Sequence, residues 1–81
     1  MDEATLFDQV RSTVAEAFMI SGDMLTMESS SDTVPEWDSL KIIHIAINLE
    51  KQFGVKFNED DIITMTQISN ITAAVKRRLA G

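Results

Sequence analysis

Apolar residues return at three- and four-residue spacing through successive stretches of this chain, and no stretch alternates as a strand would, so the fold must be built from helices. From Glu3 to about Met19 the stripe is Leu6, Phe7, Val10, Val14 and Phe18. Ser21 to Pro35 breaks the period: Ser, Thr, Asp and Gly take over, and the one proline closes the run. Long loops in compact domains are usually functional or pinned by their own apolar residues. Met24, Leu25, Met27 and Val34 are expected to do the pinning. A second helix is expected from Ser39 to Phe53, with Asp38 or Ser39 supplying the N-cap oxygen and Gly54 in the left-handed position past its end. After the turn Val55-Lys56-Phe57, Asn58 should cap a brief third helix, Glu59-Asp60-Asp61-Ile62-Ile63, whose acids suit the positive end of the helix dipole. The last helix spans roughly Gln67 to Ala80 behind a Thr66 cap, burying Ile68, Ile71, Val75 and Leu79. The expected fold is all-α: a four-helix bundle with a long loop between helices one and two and a short third helix, in a single domain over residues 1–81.

With 81 residues and no cysteine, folding has to rest on helix packing, and the lack of cysteine fits a reducing compartment. Thirteen acids against seven Lys and Arg give a net charge of -6, which argues against nucleic-acid binding. The one basic cluster, Lys76-Arg77-Arg78, reads as favourable charge at the negative end of the last helix. The start, Met1-Asp2-Glu3, is unlike a signal peptide, and no apolar run approaches a membrane span. The expectation is a soluble, cytoplasmic, monomeric protein.

Helix two carries the most information. At about 100° per residue, Ile42, Ile45, Ala46, Leu49 and Phe53 share one narrow sector, which must face the core. Ile43 and Glu50 flank it, and Leu40, His44, Ile47 and Lys51 project on the other side. An outward apolar pair, Leu40 and Ile47, beginning one residue after Ser39 and beside the long loop, points to a docking surface for a partner.

Trp37-Asp38-Ser39-Leu40 at the head of this helix, with Leu49-Glu50-Lys51-Gln52-Phe53-Gly54-Val55 closing it, resembles the acyl carrier protein family. There Asp-Ser-Leu opens helix two and a Leu-Glu-x-x-Phe-Gly pattern ends it. The likeness extends over nearly the whole chain. It implies that Ser39 receives 4'-phosphopantetheine from coenzyme A, that Asp38 helps the phosphopantetheinyl transferase hold its metal and orient the serine, and that Leu40 is contacted by partner enzymes. A diester on Ser39 would then lie by unpaired N–H groups of the helix and its positive dipole end. The implied partners are the transferase, an acyl- or aminoacyl-loading ligase and downstream synthase enzymes. Two departures point toward a freestanding carrier of a specialised pathway. Glu36-Trp37 replaces the small pair usual in fatty-acid carriers, and the outward face of Lys41, His44, Ile47, Glu50 and Lys51 is nearly neutral rather than acidic.

The remaining candidates have plainer readings. His44 lies five residues from Ser39 on the same helix and points elsewhere, so the two form no nucleophile–base pair. Glu59-Asp60-Asp61 lacks the alternating ligands and glycine of a calcium loop. Trp37 either stacks on the pantetheine arm or anchors the loop. With no triad and no metal constellation, the chain reads as a non-catalytic carrier of thioester-bound intermediates, in fatty-acid, polyketide or related biosynthesis. The alternatives are a peptidyl or aminoacyl carrier, or an unmodified helical interaction module.

Overall fold

In the computed structural model, which describes residues 2–80, side-chain caps set the starts of three helices and left-handed residues close two of them. α1 (Glu3–Phe18) opens on Asp2, whose carboxylate accepts the Thr5 N–H at 2.8 Å. It closes on Met19 in the left-handed region at φ 59°, a conformation that glycine adopts more readily than methionine. α2 (Ser39–Phe53) ends on Gly54 at φ 68°. α3 (Glu59–Ile63) starts with a reciprocal capping box: Asn58 accepts the Asp61 N–H, and Asp61 accepts the Asn58 N–H. α4 (Ile68–Ala80) completes the expected four-helix bundle, and a three-residue 3₁₀ turn, Gly22–Met24, sits inside the long loop.

The core lies where the three long helices meet. α1 contributes Leu6, Val10, Val14 and Phe18; α2 contributes Ile42, Ile45, Ala46 and Leu49; α4 contributes Ile68, Ile71, Ala74 and Val75. A large aliphatic side chain so buried stabilises the fold by roughly 1.5–3 kcal/mol. Phe53, expected in the core sector, is only half-buried at its edge. Leu79 is a clear correction to the expected stripe: it is 46% exposed and borders an open groove with Glu3 and Leu6 at the start of α1, where no further element covers it.

Backbone hydrogen bonds hold the long loop more than its methionines do. Leu25 and Val34 are buried as expected, but Met24 is 67% and Met27 38% exposed. What fixes the segment is the start of α4. The Ile68 N–H donates to the Ser29 carbonyl at 2.9 Å and the Ser69 N–H to the Met27 carbonyl at 3.0 Å. An isolated antiparallel bridge pairs Ser30 with Gln67, and the Ser31 N–H reaches the Thr66 carbonyl at 3.0 Å. Thr66 is therefore not the cap. The first intrahelical bond of α4 runs from the Ile71 N–H to Gln67, and loop carbonyls satisfy two of the free donors that every helix start presents.

The basic cluster does more than complement a dipole. Arg77 Nη2 lies 2.7 Å from Asp61 Oδ1 and Arg78 Nε 2.9 Å from Oδ2, while Lys76 pairs with Glu3 on α1. Asp61, read from sequence as one of three acids suited to the dipole of the short helix, is also buried against this pair of arginines. The Arg77 guanidinium first, then the Asn58 N–H and Arg78, hold its carboxyl below the usual range, at about 2. A carboxylate whose folded-state pKa is depressed adds stability that is fully present above the unfolded value of 3.8 and disappears as pH falls towards 2. Asp61→Asn should therefore lower the urea midpoint at pH 7. It should also shrink the loss of stability between about pH 4 and 2, read by circular dichroism across a pH series.

Candidate functional site

The head of α2 is set by Asp38, not by Ser39. Asp38 is extended at φ -147° and ψ 163°, and its Oδ1 accepts the N–H of Leu40 at 2.8 Å and of Lys41 at 3.1 Å. Ser39 is thus the first helical residue, exposed, with its hydroxyl not needed for the cap. This corrects the expectation that a diester here would meet a set of unpaired helix N–H groups. Asp38 already takes two of them, and the Ile42 N–H is bonded to the Asp38 carbonyl at 3.0 Å. Of that turn, the Ser39 N–H is the donor left.

Of the two roles considered for Trp37, the structure displays the anchoring one. Its ring packs on Phe18 with centroids 5.4 Å apart at 52°, and its backbone N–H donates to the Val34 carbonyl at 3.1 Å, so it ties the loop end to α1. Its half-buried indole also lines an open cleft of about 440 Å³ between the head of α2 and α3. Ile42, Ile43, Ile62, Ile63 and Met65 supply the apolar lining, with Ser31, Asp38, Ser39 and Thr66 as the polar members. Ser39 therefore opens onto a pocket suited to an apolar group. The cleft escaped sequence reading because its walls come from two short stretches; the adjacent Ile62 and Ile63 on a five-residue helix were the available signal.

The outward residues of α2 divide between surfaces. Leu40 is 69% and Ile47 45% exposed, and His44 and Lys51 are also exposed. Leu40, Lys41 and His44 border a second groove of about 260 Å³ against Glu16 and Ala17 of α1, which neither Ile47 nor Lys51 joins. Lys41 is half-buried, its Nζ 5.9 Å from the Phe18 ring centroid. Glu50 does not belong to the outward face: its Oε2 accepts the Phe57 N–H at 2.8 Å and fixes the turn into α3. Among the described residues no group of three or more acids, histidines or cysteines is placed to hold a metal ion, and no helix is long and apolar enough to cross a membrane.

Comparison with known proteins bears directly on this site. Residues 8–75 match the family described as "Phosphopantetheine attachment site". Acyl carrier protein 3 of Ralstonia nicotianae is 28% identical over 81 residues, covering all of this chain and 93% of the relative. An acyl carrier protein of Campylobacter jejuni is 31% identical over 65 residues, covering 80% of this chain and 84% of the relative. In fold, the chain is similar to the solution structure of a holo acyl carrier protein from Geobacter metallireducens, with a TM-score of 0.79 over 91% of this chain and 85% of the other at 23% identity.

The division of labour between neighbours is testable on the unmodified protein. Asp38→Ala removes the acceptor for two N–H groups and should destabilise the fold by about 1 kcal/mol, whereas Asp38→Asn and Ser39→Ala should change it by only a few tenths. Urea denaturation of the three variants checks the order.

Proposed function

The chain belongs to the acyl carrier protein family, the phosphopantetheine-attachment proteins, and on that premise we propose that Ser39 bears its covalent 4'-phosphopantetheine. The observation that carries this is an exposed serine hydroxyl at the first position of α2, left free because Asp38 caps the helix, and bordering an apolar cleft. These residues fit the group: a free nucleophilic oxygen for the phosphoryl bond, one helix N–H beside it, and an apolar bed alongside. When bound, the group supplies a terminal thiol that holds cargo as a thioester. The protein is a non-catalytic carrier that works with transferase and synthase enzymes.

Each neighbouring residue has a part in this reading. Asp38 fixes the start of α2 and so the position of the Ser39 Oγ, and it offers a carboxylate beside the hydroxyl to the metal-dependent transferase. As the Oγ–P bond forms, the pyrophosphate of coenzyme A is cleaved, the hydroxyl proton passes to the transferase and adenosine 3',5'-bisphosphate leaves. Trp37 walls the cleft on the side of the loop. Leu40 and Ile47 supply apolar docking contacts, and Lys41, His44 and Lys51 flank them with basic and polar groups. The apolar lining of the cleft favours an acyl cargo of a specialised fatty-acid, polyketide or related pathway over an aminoacyl one. A monomeric, cytoplasmic carrier domain over residues 1–81, served by a dedicated loading ligase, completes the reading; a net charge of -6 and the lack of cysteine support it.

Two measurements test it. Incubated with coenzyme A and a broad-specificity phosphopantetheinyl transferase, the protein should gain the mass of the arm, and Ser39→Ala should stay at its own mass while folding normally. A mutant that still gains the arm places the attachment elsewhere, with Ser29, Ser30 and Ser31 next to examine. Ile47→Asp should leave the melting temperature nearly unchanged, because the side chain is 45% exposed. It should lower loading kcat/KM by about tenfold, as expected when an apolar contact worth about 1–2 kcal/mol is lost from an interface. A large drop in melting temperature would place Ile47 in the fold rather than at the interface.

A further inference from the structure

α3 is held to the bundle in an unusual way: its one buried residue is a carboxylate. Asp61 is 5% exposed, whereas Ile62 beside it is half-buried and Ile63 is 69% exposed. Five residues are too few for a helix to persist alone, so the place of α3 depends on what grips it. The grip comes from the other end of the chain. Arg77 Nη2 holds Asp61 Oδ1 at 2.7 Å, and Arg78 donates to Oδ2 from Nε at 2.9 Å and from Nη2. The Asn58 N–H also donates to Oδ2, at 3.0 Å, so one carboxylate joins the first turn of α3 to the last turn of α4. Planar guanidinium forks hold such a group with defined geometry.

Ile62 and Ile63 form the α3 wall of the cleft that Ser39 borders, facing Ile42 and Ile43 of α2. We propose that Asp61 is a positioning residue for this cleft: its clasp by Arg77 and Arg78 sets how far α3 stands from α2, and thereby how well the cleft shelters an acyl group delivered from Ser39. The sheltering half rests on the Ser39 reading; the positioning half does not. The clasp is suited to opening. The side chains of Arg77 and Arg78 are 57% and 35% exposed, so on release both charges pass readily into water. Within α3 itself no apolar side chain is fully buried: Ile62 packs part-buried against the core and Ile63 is exposed, while the buried Met65 just past its end can stay in the core as the clasp opens.

The test begins on the unmodified protein, where nothing depends on the arm. Amide exchange is followed at Ile62, Thr64 and Met65, whose N–H groups bond within and just after α3, together with acrylamide quenching of Trp37, the chain's one tryptophan. Asp61→Asn and the pair Arg77→Gln with Arg78→Gln should speed exchange at these amides by about tenfold or more, the factor expected when a hydrogen bond to a charged group is lost. Both should also raise Trp37 quenching. Asp61→Glu, which can still serve in a capping box, should restore most of the protection. A core variant on α1, Val14→Ala, should speed exchange throughout the bundle without selecting α3 or raising Trp37 quenching. Should Asp61→Asn fail to fold, Arg77→Gln and Arg78→Gln singly leave one half of the clasp in place. Unchanged α3 exchange and quenching in those folded variants overturns the proposal.

The second arm uses holo protein loaded with an octanoyl thioester. Loosening the clasp should speed its cleavage by hydroxylamine in proportion to the gain in α3 exchange. Faster exchange with unchanged cleavage overturns the sheltering half. A failure of the Ser39 reading itself would show separately, as arm attachment to Ser39→Ala, and would leave the exchange result standing.

Discussion

The start of α4 and the long loop solve each other's problem, and the rest of the architecture depends on it. A helix start presents four N–H groups without partners, and an irregular segment carries carbonyls that must be satisfied. Here Ile68 and Ser69 donate to Ser29 and Met27, so one set of bonds caps α4 and fixes the loop. Fixing the loop at Ser29–Ser31 sets the path to Val34, whose carbonyl takes the Trp37 N–H, and Trp37 in turn packs on Phe18. The head of α2 is thereby placed from both ends: from within by its core stripe, and from before by a segment with no regular structure beyond a single 3₁₀ turn.

Much of this was legible in the sequence because it follows from local rules. Periodicity placed the helices, Asn58 and Gly54 marked the expected boundaries, and Ile42, Ile45, Ala46 and Leu49 fell in the buried sector that 3.6-residue geometry assigns them. The proposal of Ser39 rests on the Asp-Ser-Leu pattern and on its place at the head of an amphipathic helix, where α2 indeed begins. What was not legible depends on partners far along the chain. Leu79 continues the α4 stripe in phase yet borders an open groove beside the start of α1. Met24 is apolar but stays largely outside, and Met27 is only partly covered, because the bonds from the loop backbone to the start of α4 hold the segment together with Leu25 and Val34. Asp61 looks like its acidic neighbours in sequence; only the fold brings Arg77 and Arg78 to it. The Asn58–Asp61 spacing of a capping box was the one local sign that it differed.

Charge in this protein is distributed by use. Asp2, Asp38 and Asp61 accept backbone N–H groups at helix starts, Glu50 accepts one at a turn, and Glu3 and Asp61 bind basic residues of α4. Acids that a count of net charge treats as equivalent therefore differ in use, several of them holding helix ends, and the charge of -6 is spread unevenly over the surface. The surface around Leu40 and Ile47 is left with lysines and a histidine, which suits recognition through shape and apolar area.

With the arm on Ser39 as proposed, the Asp38 cap has a consequence for how cargo is presented. Because two N–H groups already close on its Oδ1, the residue after it starts from an ordered position rather than a frayed one. A flexible arm rooted there has all its freedom beyond the root, and its far end samples a volume of fixed centre. The effective concentration of that end at a second protein then depends on how the distance to the root compares with the arm's length. Two enzymes that bind the carrier equally tightly can thus see very different local concentrations of the same cargo, set by where each one seats itself around the head of α2.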